Sequence, residues 1–382
     1  MITFLNPRSP FLEKEDMMPI LGTGYLVSVL KKAGIEAQMI DMGLGDEVPD
    51  GDIFITGTTP QSSEMLKLRR NAYTVVGGPH ASINSKEMSE AFSCVVCGEG
   101  EEVIEHIVKD RPTGIIKASR IRDLDALPFP DRTTAMRYHW EIAGKRATTL
   151  MTSRGCTGKC SFCCKAIMDN GIRFRSPNNI IAELREIKEL GFESVMFYDD
   201  SIAMIPKRLK ELCSKMEPLG LIWRCFVRSD QVTQSIMDMM AQAGCYEVLI
   251  GVESGSDQIL KNIRKEETHL HHLFAIECAK RAGIRTKALM IAGLPGETWD
   301  TINESAKFIR AAKPDSLDVT ILSVYQGCDI ASNPQNYDIS FKDPMWYKGR
   351  NDEYQSTVRT SAMSEIEIVS ARNILWETFK SL

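Results

Sequence analysis

The stretch Arg154-Gly155-Cys156-Thr157-Gly158-Lys159-Cys160-Ser161-Phe162-Cys163 follows an apolar run that reads as a strand. Its three cysteines are spaced C-x-x-x-C-x-x-C, and Gly155, Gly158 and Lys159 give the segment the freedom to wrap as a loop. The count of three decides the reading. A four-iron cluster held by three thiolates keeps one iron open to another ligand, which separates a reactive centre from an electron-transfer one.

Packing, disulfide and zinc roles suit the trio less well. The chain has eleven cysteines, and a free cysteine is commonly buried as a small hydrophobe. That account suits Cys213, Cys225, Cys245 and Cys278, which stand singly among apolar patterns. Cys94 and Cys97 form a C-x-x-C within an expected strand, where residues three apart face opposite sides of the sheet. An odd count, a long chain and no secretory signal argue against a disulfide framework. No fourth cysteine or histidine stands at finger-like spacing to close a zinc site around the trio.

The spacing of Cys156, Cys160 and Cys163, with Phe162 before the third, resembles the radical S-adenosylmethionine (radical SAM) superfamily. The resemblance implies a [4Fe–4S] cluster on these cysteines whose open iron binds the amino and carboxylate groups of S-adenosylmethionine. It further implies one-electron cleavage to a 5′-deoxyadenosyl radical, fed by a donor such as flavodoxin or ferredoxin. The protein's share of such chemistry is placement and exclusion of water.

Composition agrees with a cytoplasmic enzyme: 382 residues, 43% apolar, 25% charged, net charge −5, ordinary globular material long enough for two domains. No run has membrane-spanning length. The mild acidity argues against a nucleic-acid partner, leaving a small-molecule or peptide substrate. The fold expected is α/β: a Rossmann-like (flavodoxin-like) domain over 1–115, a linker over 116–145, a partial (β/α)6 barrel over 146–330 and a C-terminal extension over 331–382.

In the first domain, strands are predicted at 2–5, 35–40, 52–56, 73–76 and 94–97, alternating with helices, the pattern of a parallel sheet covered on both faces. Ligands of such sheets lie beyond the carboxyl ends of the strands. Glycines, which permit close backbone approach, cluster there: Gly77-Gly78-Pro79-His80 and Gly98-Glu99-Gly100. Tight turns would explain them singly. Together with Asn6, they resemble the cobalamin-binding domain of one radical SAM subclass, implying cobalamin contacts at Asn6, Gly77, Gly78, Pro79, His80, Gly98, Glu99 and Gly100. The sequence departs from the family pattern in having too little chain between Asp41 and Asp52 for a full helix. It also lacks a D-x-H-x-x-G motif, so no histidine is expected beneath cobalt.

Six strands are predicted in the barrel, at 148–152, 194–198, 223–228, 247–253, 285–291 and 316–322, with helices between. Barrel chemistry lies at the carboxyl ends of strands. There, and at Phe162 in the cysteine loop, the resemblance places S-adenosylmethionine contacts: Asp199 and Asp200 (the methionyl amino group), Arg228, Glu253 and Ser254 (the ribose), and Gly293 and Pro295 (near the adenine). The two aspartates could instead cap a turn, and Arg228 could face water. Cys328 is a candidate hydrogen donor or covalent anchor, with an inert thiol as the plainer reading. His269, His271 and His272 read as a solvent-facing run before a helix. Pro344, Trp346 and Tyr347 suggest a lid, and 364–379 a closing helix with a Ser364/Glu367 capping box.

The expected activity is cobalamin-dependent methylation of an unactivated carbon. A cobalamin-independent cyclase or oxidoreductase with a degenerate first domain, and a non-catalytic cobalamin or iron–sulfur sensor, remain the alternatives.

Overall fold

The computed structural model describes residues 1–9, 12, 14–16, 18–164, 171–342 and 354–382. They divide into two compact units, one built mainly from Met1–Trp140 with Arg173–Arg175, the other from Glu141–Cys164 and Ser176–Leu382.

The first unit is a parallel six-stranded sheet. Its spatial order is Ala37–Asp41, Ile2–Asn6, Ile53–Thr56, Thr74–Gly77, Cys94–Cys97, Gly114–Lys117, the flavodoxin-like 2-1-3-4-5 order with one strand added. The interior strands are apolar on both sides because both sides are covered. Phe4, Phe54, Val75 and Val96 pack with Leu30 and Ile107 from helices Leu21–Lys32 and Ile104–Asp110. Leu5, Ile55, Val76 and Val95 pack on the other face with Met65 and Met88 from helices Ser62–Lys67 and Ser85–Ala91. Cys94 belongs to the first cluster and Cys97 packs against the second. The strand period therefore separates them.

Three details differ from expectation. The strand Gly114–Lys117 escapes a search for apolar runs because, at the sheet edge, it alternates half-buried with exposed residues. The segment Gly77–Ala81 is no open loop: the strand ends at Gly77 and helix Gly78–Ile83 starts at once, with Pro79 suited to a first helical turn. Residues 116–140, expected as linker, belong largely to the first unit. Thr134 Oγ1 donates to Met39 O at 2.9 Å, Arg137 pairs with both Asp46 oxygens at 2.8 Å, and Tyr138 Oη donates to Asp41. The short Asp41 to Asp52 connection holds only the 3-10 turn Met42–Leu44, capped by Asp41.

The second unit carries six parallel strands in chain order: Lys145–Leu150, Ser194–Phe197, Ile222–Val227, Cys245–Glu253, Arg285–Ala292 and Ser316–Ile321. Strand Glu141–Ile142 pairs antiparallel with the first. Among the described residues the last strand does not pair with the first, so the sheet is a partial barrel rather than a closed one. Helices Pro177–Glu189, Pro206–Met216, Gln234–Gln242, His269–Arg281 and Trp299–Ala312 fill the gaps between strands. Alternation fixes the two faces: Phe197 and Trp223 are buried with ring centroids 5.4 Å apart. On the opposite face Arg224 meets Met196 Sδ at 3.2 Å and Glu247 Oε2 at 3.4 Å.

Closing helix Glu365–Lys380 has the expected Ser364/Glu367 capping box, and its buried Arg372 donates to Val319 O at 3.0 Å. Pro344, Trp346 and Tyr347 lie outside the described residues. No helix among the described residues is long and apolar enough to cross a membrane.

Trp223 is fully buried and its indole N–H donates to Ala243 O at 2.7 Å. Trp223→Ala leaves a cavity and an unpaired carbonyl, and is expected to cost about 3–5 kcal/mol, measured as a lowered urea midpoint for the barrel unit.

Candidate functional site

The cysteine loop leaves the first barrel strand through Thr152 and Ser153, and a buried carboxylate anchors it. Asp199 accepts from Thr152 N at 3.1 Å, from Thr152 Oγ1 at 2.8 Å and from Ser153 Oγ. Burial raises its pKa, and these bonds oppose the rise. Arg208 adds a bond to Thr152 O at 2.9 Å. Asp199 thus fixes where the loop starts, while its neighbour Asp200 is exposed.

Within the loop two glycines are required. Gly155 has φ +102, and a Cβ there would lie 2.2 Å from Gly171 O. A Cβ on Gly158 would stand 3.1 Å from Arg228 Nη1, 3.4 Å from Cys156 Sγ and 3.9 Å from Cys160 Sγ. Two sulfurs and a guanidinium therefore surround one bare stretch of backbone. Gly158 N donates to Cys156 Sγ at 3.3 Å, and Cys163 N to Cys160 O at 3.3 Å. Ser161 pins the far side, donating to Ile263 O at 2.9 Å and accepting from Ile330 N at 3.1 Å.

Cys156, Cys160 and Cys163 are free thiols of intermediate exposure, and Phe162 is half-buried among them. Among the described residues no three His, Cys, Asp or Glu side chains converge to chelate a single ion. In a cubane each protein thiolate binds a different iron, so its three cysteines stand around a volume rather than a point. The three thiols, the bare backbone at Gly158 and the adjacent Arg228 cation fit an anionic iron–sulfur cluster.

The cations come from the end of the third strand and from the turn that ends helix Asp257–Asn262. Arg228 follows the third strand and pairs with Asp230 through Nε at 3.1 Å and Nη2 at 3.0 Å. It also lies 3.6 Å from Glu267 Oε2. Lys265 lies 3.1 Å from Glu253 Oε1 and 3.4 Å from Glu267 Oε2. Arg228 Nη2 donates to Lys265 O at 3.3 Å, joining the two. Burial disfavours both cations, but their acidic neighbours outweigh it and raise both pKa values. Burial pushes the Cys160 thiol up and Glu253 adds to the rise, while Lys265 and Arg228 oppose it.

Glu253 ends the fourth strand, where the register to the fifth shifts between Gly251 and Glu253. Its φ of +61 is left-handed, a conformation costing roughly 1–2 kcal/mol for a residue with a Cβ. Beneath this network Glu267 Oε1 accepts from Ser229 N at 2.6 Å and Asp230 N at 3.2 Å. Ser229 Oγ meets His272 Nδ1 at 2.7 Å. His272 is therefore buried, not part of a solvent-facing run, and burial lowers its pKa to about 3. His269 pairs with Asp257 at 2.8 Å and His271 sits in the helix capping box.

The remaining barrel candidates are engaged within the fold. Ser254 is buried, with its hydroxyl 3.2 Å from Ser305 Oγ and accepting from Ser256 N at 3.2 Å. Gly293, at φ +85, donates to Glu297 Oε2 at 2.6 Å, and Pro295 O accepts from Asn262 at 3.0 Å. Cys328 is 1% exposed, and its sulfur accepts from Ala331 N at 3.4 Å, capping a short helix. Burial raises its pKa, and so enclosed it is a structural cap with no surface for a substrate.

In the first unit the crevice where strand order reverses is filled from within. Gln61 Nε2 donates to Asn6 Oδ1 at 3.1 Å, Pro7 O at 3.0 Å and Ser9 Oγ at 3.0 Å, while Asn6 donates to Asp41 at 2.8 Å. His80 is buried against Thr59 and Asn84. Glu99 pairs with Arg173 at 2.6 and 2.8 Å and accepts from Ile121 N. Gly77, Gly78, Gly98 and Gly100 are half-buried and Pro79 is exposed. This edge offers backbone rather than side chains to a ligand.

Sequence reasoning missed Lys265, Glu267 and Glu297. Lys265 and Glu267 lie in the charge run Arg264-Lys265-Glu266-Glu267, which resembles a solvated face. Only their 12- and 14-residue distances after Glu253 on a strand-to-helix connection hinted at a return to the site.

Residues 150–309 match the radical SAM superfamily. The chain is a radical SAM enzyme. An uncharacterized methyltransferase of Pyrococcus horikoshii is 28% identical, covering 81% of this chain and 77% of its own length. The anaerobic magnesium-protoporphyrin IX monomethyl ester cyclase of Cereibacter sphaeroides is 26% identical over 82% of this chain, which spans 60% of that protein. The methyltransferase TsrM from Kitasatospora setae, solved with cobalamin and a [4Fe–4S] cluster, shares the fold. Its TM-score is 0.73 at 15% identity, covering 99% of this chain and 90% of that one.

Glu297 sits behind the Gly293 turn of this radical SAM enzyme, wholly buried, with a pKa raised by burial to about 8 despite bonds from Gly293 and Leu294. The folded state thus holds a proton that the unfolded chain releases near its ordinary pKa. Stability is favoured below that ordinary value and falls as pH rises through about 8. Glu297→Gln is expected to flatten this slope, so thermal melts of parent and variant should diverge with rising pH between about 5 and 8.

Proposed function

We propose that this radical SAM enzyme is a cobalamin-dependent methyltransferase that methylates an unactivated carbon of a small-molecule or peptide substrate. The observation that carries the reading is the cysteine loop, where the Cys156 and Cys160 sulfurs and the Arg228 guanidinium border the bare backbone of Gly158. When bound, the cluster and S-adenosylmethionine supply a hydrogen-abstracting radical, and cobalamin supplies the methyl group.

Cys156, Cys160 and Cys163 hold the cluster. Glu253, already turned out of the strand, accepts from the ribose hydroxyls. Arg228 and Asp200 meet the methionyl end, and Asp199 positions the loop from behind. Gly293 and Pro295 offer backbone near the adenine, with Ser254 bracing the turn and Phe162 screening the cluster from water. In the first unit Gly77, Gly78, Pro79, Gly98, Glu99 and Gly100 form the edge on which a corrin lies, and Asn6 and His80 support it from within. Methyltransferase relatives and the fold shared with TsrM over nearly the whole chain support this reading.

One observation favours a second reading. The crevice at the strand-order reversal is closed by Gln61, and the 41–52 connection is short, which suits a corrin-free cyclase or oxidoreductase, in line with the cyclase relative. The intact cysteine loop and Glu253 segment argue against a non-catalytic sensor.

Anaerobic purification, iron–sulfide reconstitution and addition of hydroxocobalamin separate these. With a low-potential electron donor of the flavodoxin or ferredoxin class, retained corrin with both 5′-deoxyadenosine and S-adenosylhomocysteine is expected. Deoxyadenosine alone without retained corrin supports the second reading. Cys160→Ala should drop deoxyadenosine to background, and parent-level formation would refute the cluster assignment.

A further inference from the structure

Three of the six non-glycine residues with positive φ among the described residues converge on one ion pair: Glu253 at +61, Arg264 at +53 and Glu266 at +59. Left-handed backbone at residues with a Cβ persists only where surroundings enforce it, and such residues gather at functional sites. Arg264 and Glu266 flank Lys265, whose N–H is tied to Leu260 O at 2.9 Å at the end of helix Asp257–Asn262. Both sides of Lys265 are thus turned so that its side chain runs inward, leaving the residue 7% exposed.

The ammonium meets Glu253 at 3.1 Å and Glu267 at 3.4 Å. A Cβ on Gly251 would lie 2.6 Å from Glu253 Oε1 and 3.0 Å from Lys265 Nζ, so the pair folds back over bare backbone. The Lys265 carbonyl accepts from Arg228 Nη2 at 3.3 Å, and Arg228 Nη1 borders the same Gly158 backbone as the Cys156 and Cys160 sulfurs. Surface pairs of this kind contribute little. A buried cation held by two carboxylates, in contrast, changes the local potential directly.

We propose that Lys265 is a positioning residue for the radical SAM site, fixing the Glu253 carboxylate and balancing the charge of the cluster, with Glu267 as its opposing charge. A fixed cation stabilises the reduced, more negative cluster over the oxidised one, and a fixed anion does the reverse. The proposal rests on Cys156, Cys160 and Cys163 holding that cluster.

The test is the cluster midpoint potential of the reconstituted full chain, read by electron paramagnetic resonance during reductive titration. Lys265→Met should shift it negative, Lys265→Arg should hold it near the parent value, and Glu267→Gln should shift it positive. General disturbance of the loop would move the Met and Gln variants the same way, and that result, or unmoved potentials, overturns the proposal. Should Lys265→Met assemble no cluster, Glu267→Gln decides alone, because the absence of a positive shift refutes the charge balance. A parent protein that binds no iron would instead sink the cluster assignment itself.

Discussion

The site depends on burying like charges together without leaving any of them alone. The second unit brings Glu253 and Glu267 beside a loop whose cysteines act as thiolates when they bind iron, and an uncompensated buried charge costs several kcal/mol. Arg228 and Lys265 supply the compensation, and each touches an acid that would otherwise be stranded. The polypeptide accepts left-handed backbone at Glu253, Arg264 and Glu266 to bring these groups together. Strain and charge therefore have a common origin: a strand end and a helix end must both turn inward at the place where the ions meet.

What is legible in the sequence follows from which signals are periodic. All six barrel strands and five of their helices are readable because buried strands are apolar and amphipathic helices repeat at 3.6 residues. The cysteine loop is legible because its spacing is chemical. Lys265 and Glu267 are not, since a buried charge looks like an exposed one until the chain returns on itself. His272 is hidden for a related reason: three histidines over four positions suggest solvent, but helical rotation turns one of them to the core against Ser229. The edge strand Gly114–Lys117 is masked by its own half-exposed alternation.

Asp199 illustrates how motif resemblance and geometry assign different tasks to one residue. At the end of the second strand a carboxylate looks apt for an ammonium, and position alone does not say which way it points. It accepts from Thr152 and Ser153 and is fully buried, so its contribution is to hold the loop. Placement within fractions of an ångström governs chemistry of this kind. A buried carboxylate bonded to backbone and hydroxyls is stiffer than one shared with a ligand.

The first unit applies the opposite principle. Side chains at the carboxyl edge of its sheet are absorbed by the fold: Asn6 by Gln61 and Asp41, Glu99 by Arg173, His80 by Thr59 and Asn84. What remains accessible is glycine backbone and Pro79. A glycine stretch of this kind can lie against a broad, flat surface through many weak contacts, where the absence of Cβ atoms matters more than any single bond. The barrel unit presents a few strong charges on strained backbone, and the first unit presents half-buried glycines and Pro79.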